Sequence, residues 1–201
     1  TFLDHALEVS PEPANRADLH ERALASALEG LDSEVAARHG LGALEARRAL
    51  GERAEIARAT AAYVEALDFF EPGPDRSLAI LMPAWEEFSD LEETAAGVAL
   101  MLQISGCYTH RDDPTVLIWL ERLLPVAERL DLLRETAFGL SRLSGTLYRL
   151  NRAREALILL RGTHELAVAH GIVEADRNTR TSLTFYEQFA DPAAGLAMAR
   201  E

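Results

Sequence analysis

Apolar and small residues recur along this chain at the spacing of one helical face, most clearly in residues 140–169, LSRLSGTLYRLNRAREALILLRGTHELAVA. Leu140, Leu143, Ser144 and Leu147 stand at i, i+3, i+4 and i+7, the stripe a helix turns toward a neighbour. A tight polar turn follows at Leu150-Asn151-Arg152. Ala156, Leu160, Thr163 and Ala167 then keep one side of a second helix, with small residues where another helix can approach closely. A hairpin of this kind cannot bury both its faces alone, so the pattern predicts neighbours of the same kind.

The unit recurs. The position one turn into each second helix falls at Ala37, Ser77, Leu117, Ala156 and Gly195, in successive steps of 40, 40, 39 and 39. Leu117 is the one large side chain in that series, so packing there is expected to differ. First helices are predicted at Asn15–Glu29, Arg53–Phe70, Glu92–Thr109, Leu132–Leu150 and Glu174–Phe189. Second helices are predicted at Ser33–Leu50, Arg76–Phe88, Thr115–Leu130, Ala153–His170 and Pro192–Arg200. Breakers mark the turns within pairs: Gly30-Leu31-Asp32, Glu71-Pro72-Gly73-Pro74-Asp75, Asp112-Asp113-Pro114 and Asp191-Pro192. Asp before Pro predicts a helix start, the carboxylate capping free N–H groups while Pro lacks the one left over. Pro83 and Pro125 fall inside second helices, where a kink is expected because Pro removes a hydrogen bond and clashes with the preceding turn. Residues 1–10 read as the tail of a preceding second helix, and the last helix reaches Glu201 without a cap. With Thr1 as first residue, the chain reads as one continuous domain cut from a longer array.

Composition narrows the class. Hydrophobic residues make up 48%, and Gly and Pro number only 12 and 8 in 201 residues, which excludes a low-complexity chain. The single cysteine excludes an internal disulfide framework and fits a reducing, cytoplasmic setting. No apolar run approaches the roughly 20 residues that span a bilayer. The formal net charge of −13 and the lack of a basic cluster argue against direct nucleic-acid binding. All 20 basic residues are Arg, which reads as the codon bias of a GC-rich bacterial genome.

The residues resemble a tetratricopeptide-like array. Leu143, Ser144 and Leu147, then small Ala156 and Leu160, follow the family's pattern, with Ser144 and, one unit earlier, Ser105 where the family usually has Gly. The second pair departs further, with Glu65 at that place. The unit, at about 39–40 residues, is also longer than the family's. DRSLAILMPAWEEF, HRDDPTVLIWLERLLPVAERL and NRAREALILLRGTHELAVAHG are similar in style to the helical arrays of large bacterial signalling ATPases, some ending in a LuxR-type DNA-binding domain. The resemblance implies an all-α, right-handed superhelix of about five hairpins. It further implies a non-catalytic sensor or scaffold segment that binds a protein or peptide partner, a small inducer, or neighbouring domains of its own chain. A terminal pair lacking a polar cap would also favour homodimers through exposed terminal helices.

Carried over residue by residue, the concave face is expected to present Phe69 and Phe70 from the second pair and Thr109 and His110 from the third. Ser141, Tyr148 and Arg149 would come from the fourth, and Arg177, Arg180, Thr184 and Glu187 from the fifth. Tyr148, Arg149, Arg177 and Arg180 together would suit an acidic peptide or anionic metabolite, because guanidinium pairs bidentately with carboxylate or phosphate. The competing reading is that these arginines only pair with nearby Asp and Glu.

Catalytic chemistry finds little footing. Cys107, His110, Asp112 and Asp113 are the one cluster of metal-ligand types, but no second Cys or His pair is spaced to complete a zinc site. A packed cysteine and an exposed histidine explain it better, and a hydrolase or metalloprotein is kept only as the rival class. No GxxxxGK[ST], GxGxxG or Ser-His-Asp arrangement occurs, so no cofactor is implied. His39-Gly40-Leu41-Gly42 lies inside a predicted second helix and reads as a close-packing notch. Trp85, Phe88 and Trp119 read as core.

Overall fold

The computed structural model describes residue 7, residues 12–69 and residues 72–190, with side chains to residue 187. These residues are all-α. The helices are α1 Pro13–Glu29, α2 Ser33–Leu50, α3 Arg53–Asp68, α4 Pro74–Phe88, α5 Ala95–His110, α6 Val116–Arg129, α7 Leu133–Arg149, α8 Ala153–Ala169 and α9 Val173–Ala190, with a 3-10 turn at Ser89–Leu91. The expected boundaries hold to within a few residues. The Pro192–Arg200 helix, the Gly195 anchor, Phe70 and most of residues 1–10 lie outside the described residues.

The chain divides into two compact units, Thr1–Arg111 and Asp112–Glu201. In the first, each helix from α1 to α5 packs on the next, and α3 also packs on α5. In the second, α6 to α9 pack in sequence and α7 also meets α9. Within each unit a second helix packs on the following first helix, and one pair of first helices meets, α3 with α5 and α7 with α9.

The turns explain the period. Leu31, Gly51, Asp112, Asp131, Asn151 and Gly171 all adopt positive φ between 53° and 76°, the left-handed conformation that ends a helix while satisfying its last carbonyls. Within the second unit these positions are spaced by 19, 20 and 20, so one helix and its turn make half a repeat. After the turn at Gly30-Leu31, Asp32 accepts from the Val35 N–H at 3.1 Å and starts α2.

Two local expectations are corrected. The tightly packed anchors are Ala36 and Val116, both buried, whereas Ala37 and Leu117 are partly exposed; with buried Ser77 and Ala156 the spacing becomes 41, 39 and 40. The reason at α6 is its entry. Pro114 is not its first helical residue: Asp113 Oδ1 accepts from Thr115 N at 2.8 Å, and i→i+3 bonds from Val116, Leu117 and Ile118 tighten the chain before the α-helix begins. Val116 therefore turns inward, not Leu117. Trp85, Phe88 and Trp119 are core, as read.

Ser144 and Ser105 occupy equivalent buried places but use their hydroxyls differently. Ser144 Oγ donates to the Ala156 carbonyl at 2.8 Å and ties α7 to the first turn of α8. Ser105 Oγ donates to Leu102 of its own helix at 2.7 Å.

Candidate functional site

The side chains that converge best among those expected on the concave face lie where α7 meets α9. Tyr148, near the end of α7, stacks on Tyr186 of α9 with ring centroids 4.0 Å apart and planes 6° from parallel. Two turns back, Asn178 Nδ2 donates to Ser141 Oγ at 3.3 Å. Between them Gly145 faces the phenol: a Cβ there would lie in ordinary contact, 3.4 Å from Tyr186 Oη. Burial raises the Tyr186 phenol pKa, opposed by the Arg149 guanidinium and helped by Tyr148. The phenol is therefore neutral and able to donate at physiological pH.

The arginines part company. Arg149 Nε pairs with Asp112 Oδ1 at 3.0 Å and its Nη2 reaches Thr146 Oγ1 at 3.4 Å. Arg180 forks onto Asp176 of its own helix at 3.0 and 3.2 Å. Arg177 is exposed and its guanidinium has no ion-pair partner among the described residues. Local pairing thus holds for two of the three, and among the described residues Arg177 is the one of the three without an ion pair.

Glu187 departs from the expected lining. It is 6% exposed and accepts from Arg161 of α8 at 3.1 Å from Nε and 2.5 Å from Nη2. It continues the stripe of Ala175, Thr179 and Leu183, all buried, at the i, i+4 spacing of one helix face. Thr184 is half-buried and bonds back to the Arg180 carbonyl at 2.9 Å. Phe69, 39% exposed just past α3, and Thr109 and exposed His110 at the end of α5 belong to the first unit. Thr109 Oγ1 donates to the Ser105 carbonyl at 2.8 Å.

Tyr186 and Asn178 escaped the reading of the sequence. A signal was present, since Tyr108, Tyr148 and Tyr186 follow one another at close to the repeat spacing, one tyrosine to each repeat. The concave pattern carried over from the family ran through 177, 180, 184 and 187, which passes beside Tyr186.

Cys107 is buried while His110 is exposed, so the two do not share a coordination space. Among the described residues no group of three or more His, Cys, Asp or Glu side chains converges as a metal site does, and no helix is long and apolar enough to cross a membrane. Compared with known proteins, the chain matches no family model and no curated sequence.

Proposed function

We propose that this chain is a non-catalytic interaction and sensing module, and that the α7–α9 face is its recognition surface. The observation that carries this reading is the Tyr148–Tyr186 stack, half-buried and flanked by the Ser141–Asn178 bond on one side and Arg149 on the other. Tyrosines supply large contact area at low entropic cost and a polar tip for orientation. The packing of second helices on following first helices, and of α3 on α5 and α7 on α9, supports a tetratricopeptide-like superhelix. In that setting the occupant is a protein or peptide segment, including one from a neighbouring domain of the same regulatory protein. The setting proposed is a bacterial cytoplasmic regulator of the signalling-ATPase kind.

A second reading, a receptor for a small inducer or acidic peptide, is favoured by Arg177, exposed and without an ionic partner among the described residues. Native mass spectrometry of the purified chain with a pool of acidic peptides and anionic metabolites separates the two. Small-molecule adducts lost on Arg177→Ala support the receptor. Peptide adducts lost on Tyr186→Ala but kept on Arg177→Ala support the interaction module. Adducts indifferent to both substitutions contradict the site.

A further inference from the structure

In the first unit, and independently of the reading of the α7–α9 face, two histidines meet. His20 of α1 and His39 of α2 approach Nδ1 to Nδ1 at 3.1 Å, their ring centroids 5.3 Å apart and planes 51° from parallel. His39 is 2% exposed and His20 half-buried. The HGLG stretch makes the room: a Cβ on Gly42 would lie 2.4 Å from His20 Cε1, and one on Gly40 would lie 3.1 Å from Tyr63 Cα. It is a close-packing notch, and what it packs is an imidazole.

Two imidazoles at this distance share one hydrogen bond, one nitrogen bearing the proton and the other the lone pair. With both rings protonated the two Nδ1–H groups would point at each other and two positive charges would face across 3.1 Å. We propose that the His20–His39 pair is a proton-sensitive latch between α1 and α2, closed when the pair is neutral and opened when both rings are protonated. The surface that opens is the one α1 covers, where Leu24 and Ala27 pack with Ala36 of α2 and Ala66 of α3.

The surroundings oppose the second charge. Burial is the largest influence lowering the His20 pKa below its ordinary 6.5, followed by His39 and Arg16 of α1; Arg38 of α2 adds to it, and Glu45 of α2 works against it. From α3, Tyr63 lies against Gly40 at this turn of α2. Beside the latch, Arg47 of α2 clamps α1 through Asp18 at 2.8 Å and Glu21 at 2.8 Å, with Glu52 at 3.7 Å. Its guanidinium, stabilised first by its hydrogen bond to Glu21, stays charged throughout. One joint between α1 and α2 is therefore fixed and the other titrates. Because the folded His20 value is depressed, the unfolded chain binds protons first. The latch's contribution is complete above pH 6.5 and is lost as pH falls from there through the lowered folded value.

Amide hydrogen exchange of the whole chain at pH 7.5 and 5.0, corrected for intrinsic rates, tests the latch. We expect protection in α1 to fall roughly 5- to 10-fold relative to α3, the effect of losing one hydrogen bond of ordinary net strength. In His20→Gln, whose amide bonds without titrating, that relative loss disappears. Equal protection at both pH values in the unsubstituted chain, or the same loss in His20→Gln, overturns the proposal. Should His20→Gln not fold, the imidazole Cε1–H resonances of the unsubstituted chain decide. A coupled titration of His20 and His39 supports the latch, and two independent titrations at ordinary histidine values overturn it.

Discussion

One repeat's first helix meets the next in both units, α3 with α5 and α7 with α9, yet the two meetings carry different chemistry. In the first, Gln103 Nε2 reaches Glu65 Oε2 at 3.4 Å; in the second, the polar contact is Asn178 to Ser141 at 3.3 Å. At the end of α3, one residue before the place Tyr148 holds in α7, stands Asp68. Asp68 is consumed locally, accepting from Gly73 N at 3.0 Å and Arg76 at 3.2 Å to hold the turn into α4. Tyr148 instead turns to its neighbour's Tyr186. The end of a first helix closes a loop in one unit and, in our proposal, builds a recognition face in the other. Packing sets the frame, and the choice of side chain at the helix end decides what the frame is for.

If the frame is common, equivalent core truncations must cost alike. Leu81 of α4 and Leu160 of α8 both lie at i+4 from a buried anchor and are fully buried. Each change to Ala should lower stability by about 2–5 kcal/mol in urea denaturation, through lost burial and a cavity; a gap of several kcal/mol between the two would break the equivalence. The two buried serines should sharpen it. Ser144→Ala removes a bond between helices and should cost about 1–2 kcal/mol, because it withdraws a donor from the Ala156 carbonyl. Ser105→Ala removes a bond to its own helix, a local kind that adds little to a helix, and should cost less.

A double-mutant cycle on Tyr148→Ala and Tyr186→Ala should return a coupling of about 0.5–1.5 kcal/mol, the worth of a stacked aromatic pair beyond its area. A coupling of zero would mean the rings touch without holding α7 to α9. Leu31, at φ 58° and 60% exposed, makes the smallest case. Leu31→Gly should raise stability by about 0.5–1 kcal/mol, since Gly avoids the left-handed penalty and little burial is lost. Asn151→Gly should gain less, Asn being tolerated at that conformation.

The helices were legible in the sequence because apolar periodicity and turn chemistry agree. Of the expected inward face of the hairpin over 140–169, Ser144, Leu147, Ala156, Leu160, Thr163 and Ala167 are buried, and Leu140 and Leu143 are half-buried. The third anchor slipped by one position because the i→i+3 entry at Asp113–Thr115 is a hydrogen-bonding choice with no imprint on hydrophobic spacing. The candidate face was legible on α7 and blurred on α9. Helix α9 meets both α7 and α8, and a sequence stripe does not say which neighbour each side chain serves. Glu187 went to Arg161 and Tyr186 to Tyr148 for that reason. The His20–His39 meeting joins two separate helices, and only its glycine notch was visible beforehand.

The central claim is that the α7–α9 face is a recognition surface. It is tested most directly by amide-shift mapping of the chain against a defined library of acidic peptides. The account predicts shifts centred on Ser141, Tyr148, Asn178 and Tyr186, with affinity falling at least about tenfold in Tyr186→Ala, as for an aromatic anchor at an interface. Shifts centred elsewhere, unchanged affinity in that variant, or no bound peptide at all would contradict it.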